Sequence, residues 1–274
     1  PLFIFMGIML EKTKIAAGLL QSIGELFGTT KGGLGIGVVI VGMLLAASTG
    51  IVGATVVTMG MLSLPTMLKA GYDQKIATGT ICAAGTLGQI IPPSIVLVLL
   101  ADILQGANEE AALISGNLAP EPITAIDLFA GAMMPGLMLV CMFILFIYIY
   151  AKIYPLSCPP IETTRSRLEI YIEAFKNVLP PLILILLVLG SILLGIATPT
   201  ESASVGAAGA SLLAFAKGEL TFKNLKDVSF NTVKLSSFVF VILIGASMFS
   251  LVFRGFNGDE LIEHALGGLP GGQV

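Results

Sequence analysis

The chain has 274 residues, 55% hydrophobic and 11% charged. Soluble domains carry about a quarter charged residues, so this composition excludes an ordinary soluble globule and points to a bilayer. The formal net charge of −3 offers no basic surface for nucleic acid. The three cysteines, Cys82, Cys141 and Cys158, follow neither a disulfide framework nor a zinc spacing.

The chain opens at Pro1 inside an apolar run and closes on Gly271-Gly272-Gln273-Val274. It reads as a piece of a longer protein. Residues 1–31 read as the end of a span followed by an amphipathic helix. There Ile15, Leu19, Ile23 and Leu26 repeat at helical spacing opposite Lys14, Gln21 and Glu25. Such a helix suits the cytoplasmic interface, or equally a solvated connection.

Five stretches carry no charged residue: 32–68, 76–101, 128–151, 177–200 and 235–253. About 20 apolar residues cross a bilayer. Residues 198–216 could add a shorter crossing that begins near Thr198. The stretch from Asp102 to Asp127 has no Lys or Arg, and reads as an external loop containing Pro120 and Pro122. With that loop outside, thirteen of the 14 Lys and Arg fall on the cytoplasmic side, and Arg254 is the exception. A second amphipathic piece, 163–178, carries Leu168, Ile172 and Phe175 opposite Arg167, Glu169 and Lys176.

Residues 32–68 must enter and leave on one side. Two full crossings and a turn need about 42 residues, and this stretch is shorter. Its middle, Ser48-Thr49-Gly50-Ile51-Val52-Gly53-Ala54-Thr55, is small and hydroxylated. A re-entrant hairpin with its tip at membrane depth fits, and two short spans with a Gly-rich turn is the alternative. Backbone groups at such a tip are tolerated only when buried in protein or lining a watery cavity.

The 76–101 stretch contains Gly85-Thr86-Leu87-Gly88-Gln89-Ile90-Ile91-Pro92-Pro93-Ser94. Two prolines remove two backbone donors and clash with the preceding turn. Gly85 and Gly88 let the chain unwind at little cost. The pattern predicts an interrupted helix rather than a simple kink. Carbonyls freed on one side, with the Thr86 and Ser94 hydroxyls, suit a small hard cation such as sodium. The new helix N-terminus suits an anion. Ion and substrate contacts are therefore expected at Ser48, Thr49, Gly50, Gly53, Thr55, Gly85, Thr86, Gly88, Pro92, Pro93 and Ser94. Sodium itself is expected at Ser48, Thr49, Gly85, Thr86 and Gly88.

Thr198-Pro199-Thr200-Glu201 places an acid between two apolar runs. A carboxylate there is a functional candidate. The spacing also spells a capping box, with Thr198 as N-cap and Glu201 at the third helical position. No charge-free span supplies an acid–base pair, and no phosphate-binding Gly-x-x-x-x-Gly-Lys motif occurs. An enzyme is not expected, nor is any cofactor beyond a coupling ion.

The run 85–95, the Ser48–Thr55 tip, Leu64-Pro65-Thr66-Met67 and Gly71-Tyr72-Asp73 resemble the large membrane subunit of tripartite ATP-independent periplasmic (TRAP) transporters. Thr198 to Ala207, Pro1 to Gly7 and Phe253-Arg254-Gly255-Phe256 are similar to that family as well. The resemblance implies an all-α polytopic protein of the bacterial inner membrane, with an elevator fold of two inverted repeats, each carrying a re-entrant hairpin and a discontinuous helix. It implies sodium symport of a small organic acid, with a small membrane subunit and a periplasmic substrate-binding protein as partners. Residues 32–101 would be half of a transport domain and 102–127 a periplasmic loop. Residues 128–178 would be a span and an amphipathic helix, and 179–274 spans beginning a second, incomplete repeat. Residues 11–31 and 163–178 would be horizontal helices. Other readings are an ion-coupled carboxylate carrier without a binding protein, and a channel or assembly subunit.

Overall fold

The computed structural model describes residues 1–12, 15–49, 52–116, 121–161, 166–258 and 261–262. Their regular structure is helical: α1 (Leu2–Lys12), α2 (Ile15–Gly28), α3 (Gly33–Thr49), α4 (Val52–Lys69), α5 (Gln74–Thr86), α6 (Ile95–Ser115), α7 (Ala125–Ile153), α8 (Arg167–Leu193), α9 (Pro199–Ala216) and α10 (Phe222–Gly255). No strand occurs among the described residues. The protein is all-α.

Two compact units emerge, Pro1–Ser229 and Phe230–Val274. In the second, the described residues of α10 expose Phe238, Val241, Phe249 and Leu251. In the first, α3 is the hub and packs against α1, α2, α4, α5 and α7. Its Val38, Val39 and Val41 are fully buried. Because α3 carries no charge and is apolar on all sides, protein can surround it. Gly37 lets the backbone of α2 come close. A methyl there would lie 3.4 Å from the Ile23 carbonyl and 3.5 Å from the Gly24 Cα.

α3 and α4 form the expected hairpin, with residues 50 and 51 outside the described set. At about 1.5 Å per residue the two arms measure about 25 and 27 Å, each short of a hydrocarbon core of about 30 Å. The 76–101 stretch divides into α5 and α6. Among the described residues, three helices are long and apolar enough to cross a membrane: α7, α8 from Leu168, and α10.

In α2, Leu19, Leu20 and Ile23 are buried, and the helix lies antiparallel along α3. Two expectations are corrected. The 102–127 stretch, expected as a loop, is partly helical, because α6 continues through Asp102, Glu109 and Glu110 to Ser115 before Gly116 stops it in the left-handed region, φ 73°. The Gln105–Glu109 side-chain hydrogen bond, 2.6 Å, supports that extension. Residues 163–178 are not a separate horizontal helix. From Arg167 they form the first turns of α8, which runs unbroken to Leu193.

Candidate ion and substrate site

The geometry of the hairpin and α5 follows from a few contacts. At one end, the Tyr72 amide donates to the Met67 carbonyl at 3.0 Å. The buried Tyr72 hydroxyl accepts a long hydrogen bond, 3.5 Å, from the Gly35 amide. Toward the other end, Gly42 of α3 lies against Ala84 and Gly85 of α5 lies against Val56 of α4. α3 and α5 therefore run the same way, and α4 runs against both. The interruption of the helix after Thr86 lies at the same end as the hairpin tip.

Glycine sets these distances. A methyl on Gly42 would approach the Ala84 Cβ to 2.6 Å. One on Gly85 would come within 3.1 Å of the Val56 Cα. Small residues let helices in a membrane approach this closely. α7 closes the third side: a methyl on Gly136 would meet Ile91 at 3.2 Å and Ile90 at 3.6 Å.

The break is built from the expected residues. α5 passes into a single 3-10 turn, Leu87–Gln89, that packs on α3 and α4. The Leu87 carbonyl accepts from both Ile90 and Ile91, at 3.0 and 2.9 Å. Pro92 and Pro93 follow, buried, with a cis peptide between them. Pro92 has no N–H to return to the Gly88 carbonyl, and Pro93 none for that of Gln89. Ser94 takes over the second role. Its buried hydroxyl donates to the Gln89 carbonyl at 2.9 Å and accepts from the Leu97 amide at 3.4 Å, capping α6. This hydroxyl spans the interruption.

The other site residues fall as follows. Thr86 is exposed, and its hydroxyl donates to the Ala83 carbonyl of its own helix at 2.8 Å. Gly85 and Gly88 are buried. Ser48 and Thr49 end α3, where only their backbone is described, and Gly50 lies outside the described residues. Gly53 is exposed with open space around it, whereas Thr55 is buried two residues further along α4. The hairpin and the break thus come together. Gly42, Val56, Ala84 and Gly136 complete the junction and were not singled out from the sequence, although a glycine inside an apolar span is itself a sign of close approach.

Thr198 and Glu201 form the capping box at the start of α9. Glu201 Oε2 accepts from the Thr198 amide and hydroxyl, both at 2.8 Å, and the Glu201 amide donates to Thr198 Oγ1 at 3.3 Å. Pro199 occupies the first turn. Among the described residues no group of three or more His, Cys, Asp or Glu could hold a metal ion. Two cavities lie away from the break. One of about 410 Å³ is bounded by Leu20, Gly24 and Leu62, and one of about 290 Å³ by Val39, Gly79 and Phe143.

A second polar cluster lies at the opposite end of the hairpin. The segment after α7 crosses its base. The Asp73 amide donates to the Ser157 carbonyl at 3.0 Å, and the Gly32 amide to that of Cys158 at 3.1 Å. Burial pushes the Tyr72 hydroxyl up to about 12. Burial, and then the Asp73 charge, raise the Cys158 thiol above the ordinary range.

These features define a helical membrane protein whose interrupted helix lies against a helical hairpin, the arrangement of discontinuous-helix transporters. The profile of the tripartite ATP-independent periplasmic transporter, DctM component, matches residues 1–274, and the chain belongs to that family. It is 30% identical over 253 residues to the C4-dicarboxylate TRAP transporter large permease protein DctM of Pseudomonas aeruginosa, covering 92% of this chain and 54% of that protein. It is 31% identical over 271 residues to the DctM protein of Rhodobacter capsulatus, covering 97% and 58%. It is 28% identical over 272 residues to the ectoine TRAP transporter large permease protein TeaC of Halomonas elongata, again covering 97% and 58%. The chain therefore spans somewhat more than half the length of these relatives. Proteins of this kind are permease subunits, not enzymes.

Proposed function

We propose that this chain contributes one half of the ion and solute site of a sodium-coupled importer in the bacterial inner membrane. The observation that carries the reading is the interruption at 86–94, held level with the hairpin end by Gly42–Ala84 and Gly85–Val56. Sodium is a hard cation and takes oxygen ligands. The Gly88 carbonyl, deprived of a proline N–H, and the backbone of Gly85, Ser48 and Thr49 supply that chemistry. The Thr86 hydroxyl is exposed at the same place. Ser94 acts instead by shaping the break, because its hydroxyl is engaged on both sides.

The solute is a small organic acid. Relatives of this chain are named for C4-dicarboxylates, ectoine and isethionate, and each of these compounds carries an acidic group. The start of α6, directly after the break, offers backbone donors to such a group. A small membrane subunit and a periplasmic binding protein complete the system, and the hairpin unit moves against the remaining helices to alternate access.

Uptake by proteoliposomes holding the full-length protein and its two partners tests the reading. A sodium gradient should drive accumulation of the acid, and a potassium gradient should not. Uptake that ignores sodium, or that needs no binding protein, overturns the corresponding part.

A further inference from the structure

A polar contact joins the hairpin to α1. Thr58 of α4 donates its hydroxyl to the Glu11 carboxylate on the last turn of α1. Thr58 is 9% exposed and Glu11 is half-buried. α1 packs on α3 of the hairpin and also on helices outside it. It packs on α9 at Gly206, where a methyl would lie 2.6 Å from the Met6 sulfur and 3.0 Å from Val188 of α8. Val56, which meets the break through Gly85, precedes Thr58 by two residues, so Glu11 grips the hairpin about half a turn from the junction. A threonine hydroxyl this deeply buried has little access to water and needs a partner.

We propose that Glu11 is a positioning residue for the hairpin: its carboxylate holds Thr58, and through it α4, in the conformation seen here. The bond is a latch between α1 and the hairpin and opens when the hairpin moves. This rests on the transport reading above. Losing one hydrogen bond of this kind shifts a two-state balance by about tenfold. The effect therefore falls on the apparent affinity for solute and sodium rather than on insertion.

The test uses the full-length protein with its partners in proteoliposomes, read as KM and maximal rate of sodium-driven uptake. Glu11→Ala and Thr58→Val should each change the apparent KM by about tenfold, and the double variant should change it no further. Thr58→Ser, which keeps the hydroxyl, should stay within about twofold of the parent. Additive effects in the double variant, or an unchanged KM in Thr58→Val, overturn the latch. Should Glu11→Ala fail to reach the membrane, the Thr58→Val and Thr58→Ser pair decides alone. A parent complex with no sodium-driven uptake overturns the transport reading itself, so the two failures are distinguishable.

Discussion

Two consecutive-proline pairs lie in apolar stretches of the chain, and they behave oppositely. Pro92–Pro93 ends the helical path: α5 stops at Thr86 and α6 starts at Ile95. Pro180–Pro181 lies within α8, which continues from Arg167 to Leu193. The loss of two backbone donors is common to both, so prolines alone do not set the outcome. The first pair has Gly85 and Gly88 upstream, which unwind cheaply, and Ser94 downstream, whose hydroxyl caps the next helix. The second pair follows Lys176, Asn177, Val178 and Leu179 and is followed by Leu182. No glycine loosens the turn before it and no capping side chain offers an end. Asn177 is also tied on both sides, donating to Ser22 at 2.7 Å and accepting from Lys217 at 2.9 Å. That staple fixes the turn just ahead of Pro180.

The largest effect should separate the two pairs functionally. Replacing Pro92 and Pro93 by Ala, with Gly88→Ala, favours a continuous helix and should lower sodium-driven uptake by tenfold or more, about 1.4 kcal/mol of lost site stabilisation. The matched Pro180→Ala and Pro181→Ala change should leave uptake within about twofold. Equal loss in both would dissolve the distinction.

A smaller effect sharpens the role of the cap. Ser94→Ala removes the buried hydroxyl that the part-buried Gln89 carbonyl and Leu97 amide bond, and should cost about 1–2 kcal/mol. Thermal unfolding in detergent would show this. Thr86→Ala loses only an exposed hydroxyl bonded within its own helix and should cost about 0.5 kcal/mol or less. It should weaken sodium dependence all the same, and an unchanged sodium affinity would remove Thr86 from the site. Conversely, Lys176→Gly with Leu182→Ser gives the second pair what the first has. It should destabilise α8 by about 1 kcal/mol, read as earlier unfolding.

The smallest effect concerns the hairpin base. The Cys158 thiol has a raised pKa, from burial first and the Asp73 charge second. The folded protein therefore keeps this proton when an unfolded chain has lost it. The stabilisation is complete below the ordinary thiol range and is lost as pH rises through it to the folded value. In a variant lacking Cys82 and Cys141, alkylation of Cys158 should need a pH above that of a free thiol. Asp73→Asn, which still caps α5, should lower that pH only in part. A full return to free-thiol behaviour would make the charge, not burial, the main cause.

Legibility in the sequence tracked how local each feature was. The Thr198–Glu201 box spans four residues and has the expected hydrogen bonds. The break at 86–94 was readable because glycine, proline and serine act within two turns of one another. α8 was misread because an amphipathic start and an apolar continuation look like two elements when the Asn177 staple is unseen. The acids of α6 suggested a loop, yet Glu109 bonds along the helix with Gln105. Gly42–Ala84, Gly85–Val56 and Glu11–Thr58 join residues about 30 to 50 positions apart. Only the packed chain reveals such pairs, and the first two are what bring the hairpin and the break together.

Equilibrium binding of radioactive sodium to the purified full-length complex most directly tests whether the interruption at 86–94 holds the coupling ion. Binding should fall sharply when Gly88, Pro92 and Pro93 are replaced by Ala, and should persist when Pro180 and Pro181 are. Undiminished binding in the first variant would contradict the account.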